Sequence, residues 1–261
     1  PRRALGPLLP AVAMAWPAAG RAPDAAPPAA ALGEWRAFKR RYLSPERRVV
    51  DTGNAGVSHS EGQSYGLLLA QHMDDRPAFD LLWEWTRANL RRRPDALLAW
   101  RWRPDAERPV ADLNNATDGD LVAAWALARA GARWSDPALT AEAARIARDV
   151  LRLCTAEAQG RRVLLPGAQG FRQPEGVVVN PSCYAWGAIR ALSRVAPDLL
   201  WSRLEADGLA LLREARFGRF GLPPDWLLLR AGGQAETWRE RPARFSWDAV
   251  RVPLHLAWAA L

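Results

Sequence analysis

From Glu34 onward, apolar residues recur at spacings of three and four, the period of helices that turn one face to a core. The pattern predicts helices over residues 34–43, 60–74, 76–90, 118–132, 137–154, 181–195, 198–216 and 246–260. Three joins between them are short: Asp74 to Arg76, Arg133 to Asp136, and Ala196-Pro197. The other four, 44–59, 91–117, 155–180 and 217–245, are long, and long loops inside a compact domain are commonly functional. Extended runs within them, Leu97 to Trp102 and Gly176 to Val179, predict small strands.

Helices that run up and down alternately leave every second one parallel. The helices beginning near residues 60, 118, 181 and 246 therefore point their N-termini at one rim, where all four long joins also end. These starts recur about every 60 residues, the beat of a repeated helical hairpin, and a ring of hairpins fits it. Ahead of the helices, residues 1–32 are rich in Ala and Pro, with Arg2-Arg3 preceding an apolar stretch from Ala4 to Ala19. These look like the basic and apolar parts of a secretory signal, although Pro7, Pro10 and Pro17 sit badly in its helix. The expected division is an export-signal remnant and linker over 1–32, then one domain over 33–261, in the periplasm or outside the cell. No stretch is long and apolar enough to read as a membrane span.

Composition narrows the function classes. At 261 residues and 49% hydrophobic, the chain can bury a sizeable core. The net charge of +8 is carried by arginine, Lys39 being the sole lysine. The arginines are scattered among Asp and Glu rather than gathered on one basic face, which argues against nucleic acid as a partner. Fourteen tryptophans supply flat apolar faces suited to cores and to the C–H faces of sugar rings. Two cysteines, Cys154 and Cys183, and three histidines, His59, His72 and His255, match no zinc or redox spacing. A disulfide scaffold is excluded, while a single bridge stays open.

Three of the four rim starts carry acids: Glu61, then Asp118 with Asp120 behind Thr117, then Asp248 behind Ser246 and Trp247. The fourth is Asn180-Pro181-Ser182, with proline where a first helical turn tolerates it. Ser58 with Glu61, and Ser60 with Gln63, have capping-box spacing, so Glu61 reads either as a cap or as an acid held at a cleft. Each acid taken singly is explained by the helix macrodipole, worth about 0.3–1 kcal/mol. Together they repel, and their convergence asks for a function. The dipole also lowers a carboxyl pKa, so Glu61 can be a general acid only where burial and the charge of Asp118 outweigh it.

Other readings of these residues are weaker. A calcium loop starting at Asn114 fails because its twelfth position is Trp125, which cannot ligate. Asp118-Gly119-Asp120 has the spacing of a metal-binding pair, without a nucleotide-binding pattern nearby. Arg251, three residues after Asp248, forms either a plain intrahelical ion pair or a device that keeps Asp248 ionised. His72 and His255 fall in apolar helices and read as core or rim residues, and His59 lies beside the candidate cleft.

Taken together, Ser-His-Ser-Glu-Gly-Gln-Ser-Tyr-Gly at 58–66, Asn-Asn-Ala-Thr-Asp-Gly-Asp at 114–120, Asn-Pro-Ser at 180–182, Gly-Leu-Pro-Pro-Asp-Trp at 221–226 and Arg-Phe-Ser-Trp-Asp-Ala-Val-Arg at 244–251 resemble glycoside hydrolase family 8. The likeness is nearest to the periplasmic endoglucanases that accompany bacterial cellulose synthases, and it runs from about Trp35 to the last residue. The resemblance implies an all-α (α/α)6 barrel with small strands in its long loops, and inverting hydrolysis of β-1,4-glucan without metal or other cofactor. It implies Glu61 as proton donor, Asp248 as the base that activates water, and Asp118 as the residue that binds and distorts the sugar at the cleavage point. Inversion places acid and base roughly 6.5–9.5 Å apart, leaving room for the water. Trp102, Tyr184, Arg251 and Asp120 complete the expected substrate-binding set, with Arg251 supporting Asp248. The expected partner is a cellulose or cello-oligosaccharide chain bound by a monomer, with a functional association to a cellulose synthase.

Two departures stand out. The family usually has Tyr where this chain has Cys183 and Trp247. A six-hairpin barrel also needs about two hairpins more than the four seen up to Leu261, so the sequence reads either as part of a barrel or as an open one with Leu254, Leu256 and Trp258 uncovered. The rival functions are hydrolysis of another β-1,4-glycan (xylan, chitosan or mixed-linkage glucan), glucan binding without activity, and a helical-repeat scaffold for a protein partner.

Overall fold

The computed structural model describes residues 29–261. The expected export signal lies in residues 1–28, outside the described residues. Residues 29–32 belong instead to the first turn of a helix. Eight helices follow in the expected order: α1 (Ala29–Tyr42), α2 (Ser60–His72), α3 (Arg76–Leu90), α4 (Thr117–Arg133), α5 (Pro137–Leu153), α6 (Trp186–Val195), α7 (Leu199–Glu214) and α8 (Arg251–Trp258). Short strands occupy the long joins: β1 (Ser58–His59), β2 (Arg101–Trp102), β3 (Thr155–Ala158), β4 (Arg161–Leu164), β5 (Arg172–Gln173), β6 (Gly176–Val179), β7 (Leu227–Arg230) and β8 (Ala235–Thr237).

The helices form two layers. Helices α2, α4, α6 and α8 pack side by side as an inner layer, while α3, α5 and α7 fold back outside their partners. Burial follows this division. In α4, twelve of the seventeen residues are buried, including Leu121, Val122, Leu127 and Ala130, whereas α5 buries one face through Leu139, Ile146, Val150 and Leu151. Short turns join inner to outer helix because caps stop and restart the chain there. Asp75 accepts from the Ala78 N–H to open α3, Asp136 from Ala138 and Leu139 to open α5, and Asp198 from Leu200 to open α7.

The long joins are held by small sheets on the rim. β1 pairs antiparallel with β2, β3 with β4, and β5-β6-β7-β8 form a four-stranded antiparallel sheet. Register matters in this last sheet. Val178 faces Leu228 across the ladder, and that pair packs on Trp238, while Val179 and Leu227 join the main core.

Several expected boundaries change, each for a physical reason. The helix expected over 181–195 is a 3-10 turn (Pro181–Cys183) followed by α6, because the Asn180 carboxamide accepts from the Ser182 N–H and the chain then bends through Tyr184 and Ala185. The helix expected over 246–260 begins only at Arg251, since the N–H groups of Ser246 and Ala249 are turned outward to Asp225. Neither capping box forms. The Ser58 hydroxyl donates to the Val49 carbonyl, and Gln63 is buried between the Val49 N–H and the Thr86 hydroxyl, so no side chain caps α2. Of the expected uncovered residues, Leu254 is 42% exposed, and Leu256 and Trp258 are half-buried. Cys154 and Cys183 are both free thiols.

Where the inner helices begin, α4 approaches α2 through Gly119. A Cβ on Gly119 would stand 2.4 Å from the Ser60 hydroxyl oxygen and 3.0 Å from the Glu61 nitrogen, so no larger residue fits. Gly119→Ala is expected to destabilise the fold by about 1–3 kcal/mol, the usual range for overpacking. Gly33→Ala, where a Cβ on α1 meets nothing within 4 Å, is expected to be neutral or stabilising. Urea unfolding of both variants checks the contrast, and equal effects would remove the close approach as the cause.

Candidate active site

The first acid is placed by a loop rather than by a cap. The Ser60 N–H donates to the Trp100 carbonyl at 3.0 Å and the Trp100 N–H to the Asn114 carbonyl at 2.9 Å, so the start of α2 is tied to the loop that leads into α4. The Thr117 N–H in turn donates to the Pro166 carbonyl, and the Asn115 carboxamide oxygen accepts from Ala168. These bonds link the start of α2 and two of the four long joins around one opening. Its walls enclose a cavity of about 320 Å³ that Glu61, Asp118, Cys183, Asp248 and Arg251 all line.

Arg251 is the hub. One guanidinium nitrogen donates to Asp118, and the other donates to Asp248 at 3.0 Å and to the Ser182 hydroxyl at 2.9 Å. The Ser182 hydroxyl in turn donates a hydrogen bond to the Asn180 carboxamide oxygen at 2.7 Å. Burial works against the charge on Arg251, but Asp118 and its neighbours hold its pKa above the ordinary value. Asp118 is 4% exposed and its other oxygen accepts from the Gly119 N–H. Held on one oxygen by the guanidinium and on the other by a backbone N–H, this buried side chain is fixed in place.

Glu61 has the opposite character. The Ser60 hydroxyl donates to its carboxyl at 3.1 Å. Burial, and then the negative charge of Asp118, push its pKa up to about 7, with Arg251 opposing. The Asp248 carboxyl is also raised by burial, but its direct bond to Arg251 favours the anion. The cavity therefore holds one carboxyl that keeps its proton near neutrality and another clamped on a cation. Two carboxyls held in these different states are suited to general acid and general base chemistry.

Of the expected substrate-binding residues, Arg251 is in the cavity and three are not. Trp102 packs edge-on against Trp85 under the Arg48 guanidinium, because β2 turns it to the outer side. Tyr184 is 2% exposed, stacked on Trp186 above Gly208, and its hydroxyl accepts from the Leu164 N–H. Asp120 is fully buried and accepts from the Leu98 N–H and the Asn115 carboxamide, so it braces the loop and does not pair with Asp118. His59 stacks on Trp100 and faces Asp51. Among the described residues, no group of three or more His, Cys, Asp and Glu is placed to hold a metal ion.

The aromatic walls were missed by sequence reasoning. Trp100, Phe171 and Trp226 line the cavity, Phe171 stacking on Trp226 at 6.0 Å with ring planes 14° apart and Arg241 lying over Trp226. Trp226 is part of a motif quoted above, and Trp100 lies two residues from Trp102. Nothing in the spacing says which indole faces the opening.

The family model of glycosyl hydrolases family 8 matches residues 8–260. The chain belongs to that family. It is 42% identical over 232 residues to an endoglucanase of Cellulomonas uda, covering 89% of this chain and 65% of that one. To a probable endoglucanase of Novacetimonas hansenii it is 45% identical over 237 residues, covering 90% and 69%. A solved endo-β-1,4-glucanase from Acetobacter xylinum superposes with a TM-score of 0.86 at 44% identity, covering 92% of this chain and 74% of that one. The chain thus spans about two thirds of the length of these curated relatives. Its fold is the family's (α/α)6 barrel, of which the described residues supply the inner helices α2, α4, α6 and α8 and the outer helices α3, α5 and α7.

The raised pKa of Glu61 links the site to stability. Between the ordinary carboxyl value of 4.5 and about 7, the folded chain holds a proton that the unfolded chain releases. Stability therefore falls as pH rises through that window. Glu61→Gln removes the effect, and its melting temperature is expected to exceed the parent's at pH 8 and to match it at pH 4. A constant difference at both pH values would contradict the assignment.

Proposed function

We propose that the chain carries the catalytic centre of an endo-β-1,4-glucanase that hydrolyses its substrate with inversion. The observation that supports this best is the pairing, in one cavity, of a protonated Glu61 with an Arg251-clamped Asp248. In this scheme Glu61 gives its proton to the glycosidic oxygen as the C–O bond breaks. Asp248 takes a proton from the water that attacks the anomeric carbon from the opposite face, and both groups return to their starting states by exchange with solvent. Asp118, fixed by Arg251, accepts a sugar hydroxyl and stabilises positive charge at the ring. Trp100, Phe171 and Trp226 offer flat faces for the flanking sugars.

The names of the relatives favour a glucan over another β-1,4-glycan. The finer setting we propose is outside the cytoplasm, in service of cellulose synthesis, and it rests on the motif resemblance. Among the described residues no helix is long and apolar enough to cross a membrane.

The test is hydrolysis of a soluble cellulose derivative by the full chain, set beside xylan, chitosan and mixed-linkage glucan. Glu61→Gln and Asp248→Asn are each expected to cut kcat about 10²–10⁴-fold. NMR of fresh product is expected to show the α-anomer first. Variants as active as the parent would overturn the assignment, and a β-anomer would overturn inversion.

A further inference from the structure

Asp225 is a buried carboxylate beside the cleft that the hydrolytic scheme leaves without a task. It lies in the loop ahead of β7, 5% exposed, next to the cavity-lining Trp226. Its Oδ1 accepts from the backbone N–H of Ser246 at 2.9 Å and of Ala249 at 2.8 Å, and its Oδ2 accepts from the Ser246 hydroxyl at 2.5 Å. Its own N–H donates to the Arg244 carbonyl at 2.8 Å.

The two N–H groups on Oδ1 stand on either side of Asp248. Residues 247–250 form a turn, and α8 begins only at Arg251, so no continuous helical ladder holds Asp248. Within the turn the backbone bonds are Val250 to Ser246, Arg251 to Asp248 and Val252 to Ala249. A carboxylate from a distant loop thus supplies the order that a helix would otherwise provide.

We propose that Asp225 is a positioning residue: it fixes the 246–249 turn so that Asp248 meets Arg251 and the cleft, and it acts on Asp248 through its negative charge. This inference rests on the reading of Asp248 as the base. Asp225 is ionised: burial alone would raise its pKa, but the bonds from Ser246 and Ala249 and the charge of Arg244, 3.9 Å away, hold it below the ordinary value. Several groups face Asp248. Arg251 comes from its own segment, Asp118 from α4, Cys183 from the 3-10 turn and Asp225 from the loop, with Glu61 and Arg241 lining the same cavity. Asp225 and Asp118 raise the Asp248 pKa, and Arg251 lowers it.

The experiment measures kcat and KM against pH on a soluble cellulose derivative, using the full chain and the variants Asp225→Asn, Asp225→Ala and Asp248→Asn. Asp225→Asn keeps an oxygen for both N–H groups, loses the charge, and puts an NH2 donor where Oδ2 accepted from the Ser246 hydroxyl, which can turn to accept from it. With a negative neighbour gone, Asp248 ionises at lower pH, so the acidic limb of the profile is expected to move down by about half a pH unit. Asp225→Ala releases the turn, and kcat is expected to fall about 100-fold with KM changed less than about threefold. Asp225→Asn is expected to keep at least about tenfold more kcat than Asp225→Ala. An acidic limb that stays in place in Asp225→Asn, or a parental kcat in Asp225→Ala, overturns the proposal. Loss of folded protein in Asp225→Ala leaves the decision to Asp225→Asn. If Asp248→Asn is itself as active as the parent, the reading of the base fails; if it is inactive while the Asp225 variants behave as the parent, only the positioning role fails.

Discussion

One guanidinium makes the rest of the site possible. Asp118 and Asp248 would repel each other in a recess that water only partly screens, and Glu61 adds a third acid to the same cavity. Arg251 bonds to both aspartates at once and anchors itself on Ser182, so the cluster carries one positive charge at its centre. The planar fork of arginine is what permits this geometry; a lysine has no two separated nitrogens to divide between two carboxylates. Because Arg251 is the first residue of α8, the hub depends on where that helix begins, and the turn pinned by Asp225 sets this.

The same arrangement resolves a conflict posed by the helix starts. Glu61 sits in the first turn of α2, where the helix dipole favours its anion. Burial and the nearby Asp118 act the other way and prevail. Their advantage depends on the separation between α2 and α4, which Gly119 keeps small. The glycine therefore does electrostatic as well as steric duty: it brings the Asp118 charge close enough to hold a proton on Glu61. Asp118 is coupled in this way to both other acids, to Asp248 through Arg251 and to Glu61 through space.

Much of the fold was legible because helical periodicity and join length are local signals. The eight helices and their alternation of short and long joins follow from them, and motifs spread over the chain carried the family. The placement of Glu61, Asp118 and Arg251 around one cavity follows from their positions at neighbouring helix starts, with Asp248 in the turn that leads into α8. What failed were statements about where single side chains point. Ser58, Ser60 and Gln63 have capping spacing, yet each finds a partner elsewhere, Ser58 and Gln63 on the Val49 backbone and Ser60 on the Glu61 carboxyl. Trp100 and Trp102 share a parity that would put them on one face of a strand, but β2 is only two residues long, and Trp100 lies in the loop before it. Asp120 differs from Asp118 by two positions on a helix, which turns it through most of a half-circle and into the core.

Cys183 shows what remains chemically distinctive in this member of the family. It lines the cavity beside Asp118 and Asp248, and burial together with those charges raises its pKa well above the ordinary thiol value. The group is thus a neutral thiol, a weak donor and a weak acceptor. A phenol at this position would offer a strong O–H to a water or a carboxylate, and the thiol cannot replace it. In the proposed scheme, orienting the attacking water then falls to Asp248 and Arg251. Their geometry is set by the Asp225 bonds on one side and the Asn180–Ser182 relay on the other. With one orienting group fewer, the proposed scheme makes the rate depend on the rigidity of that turn.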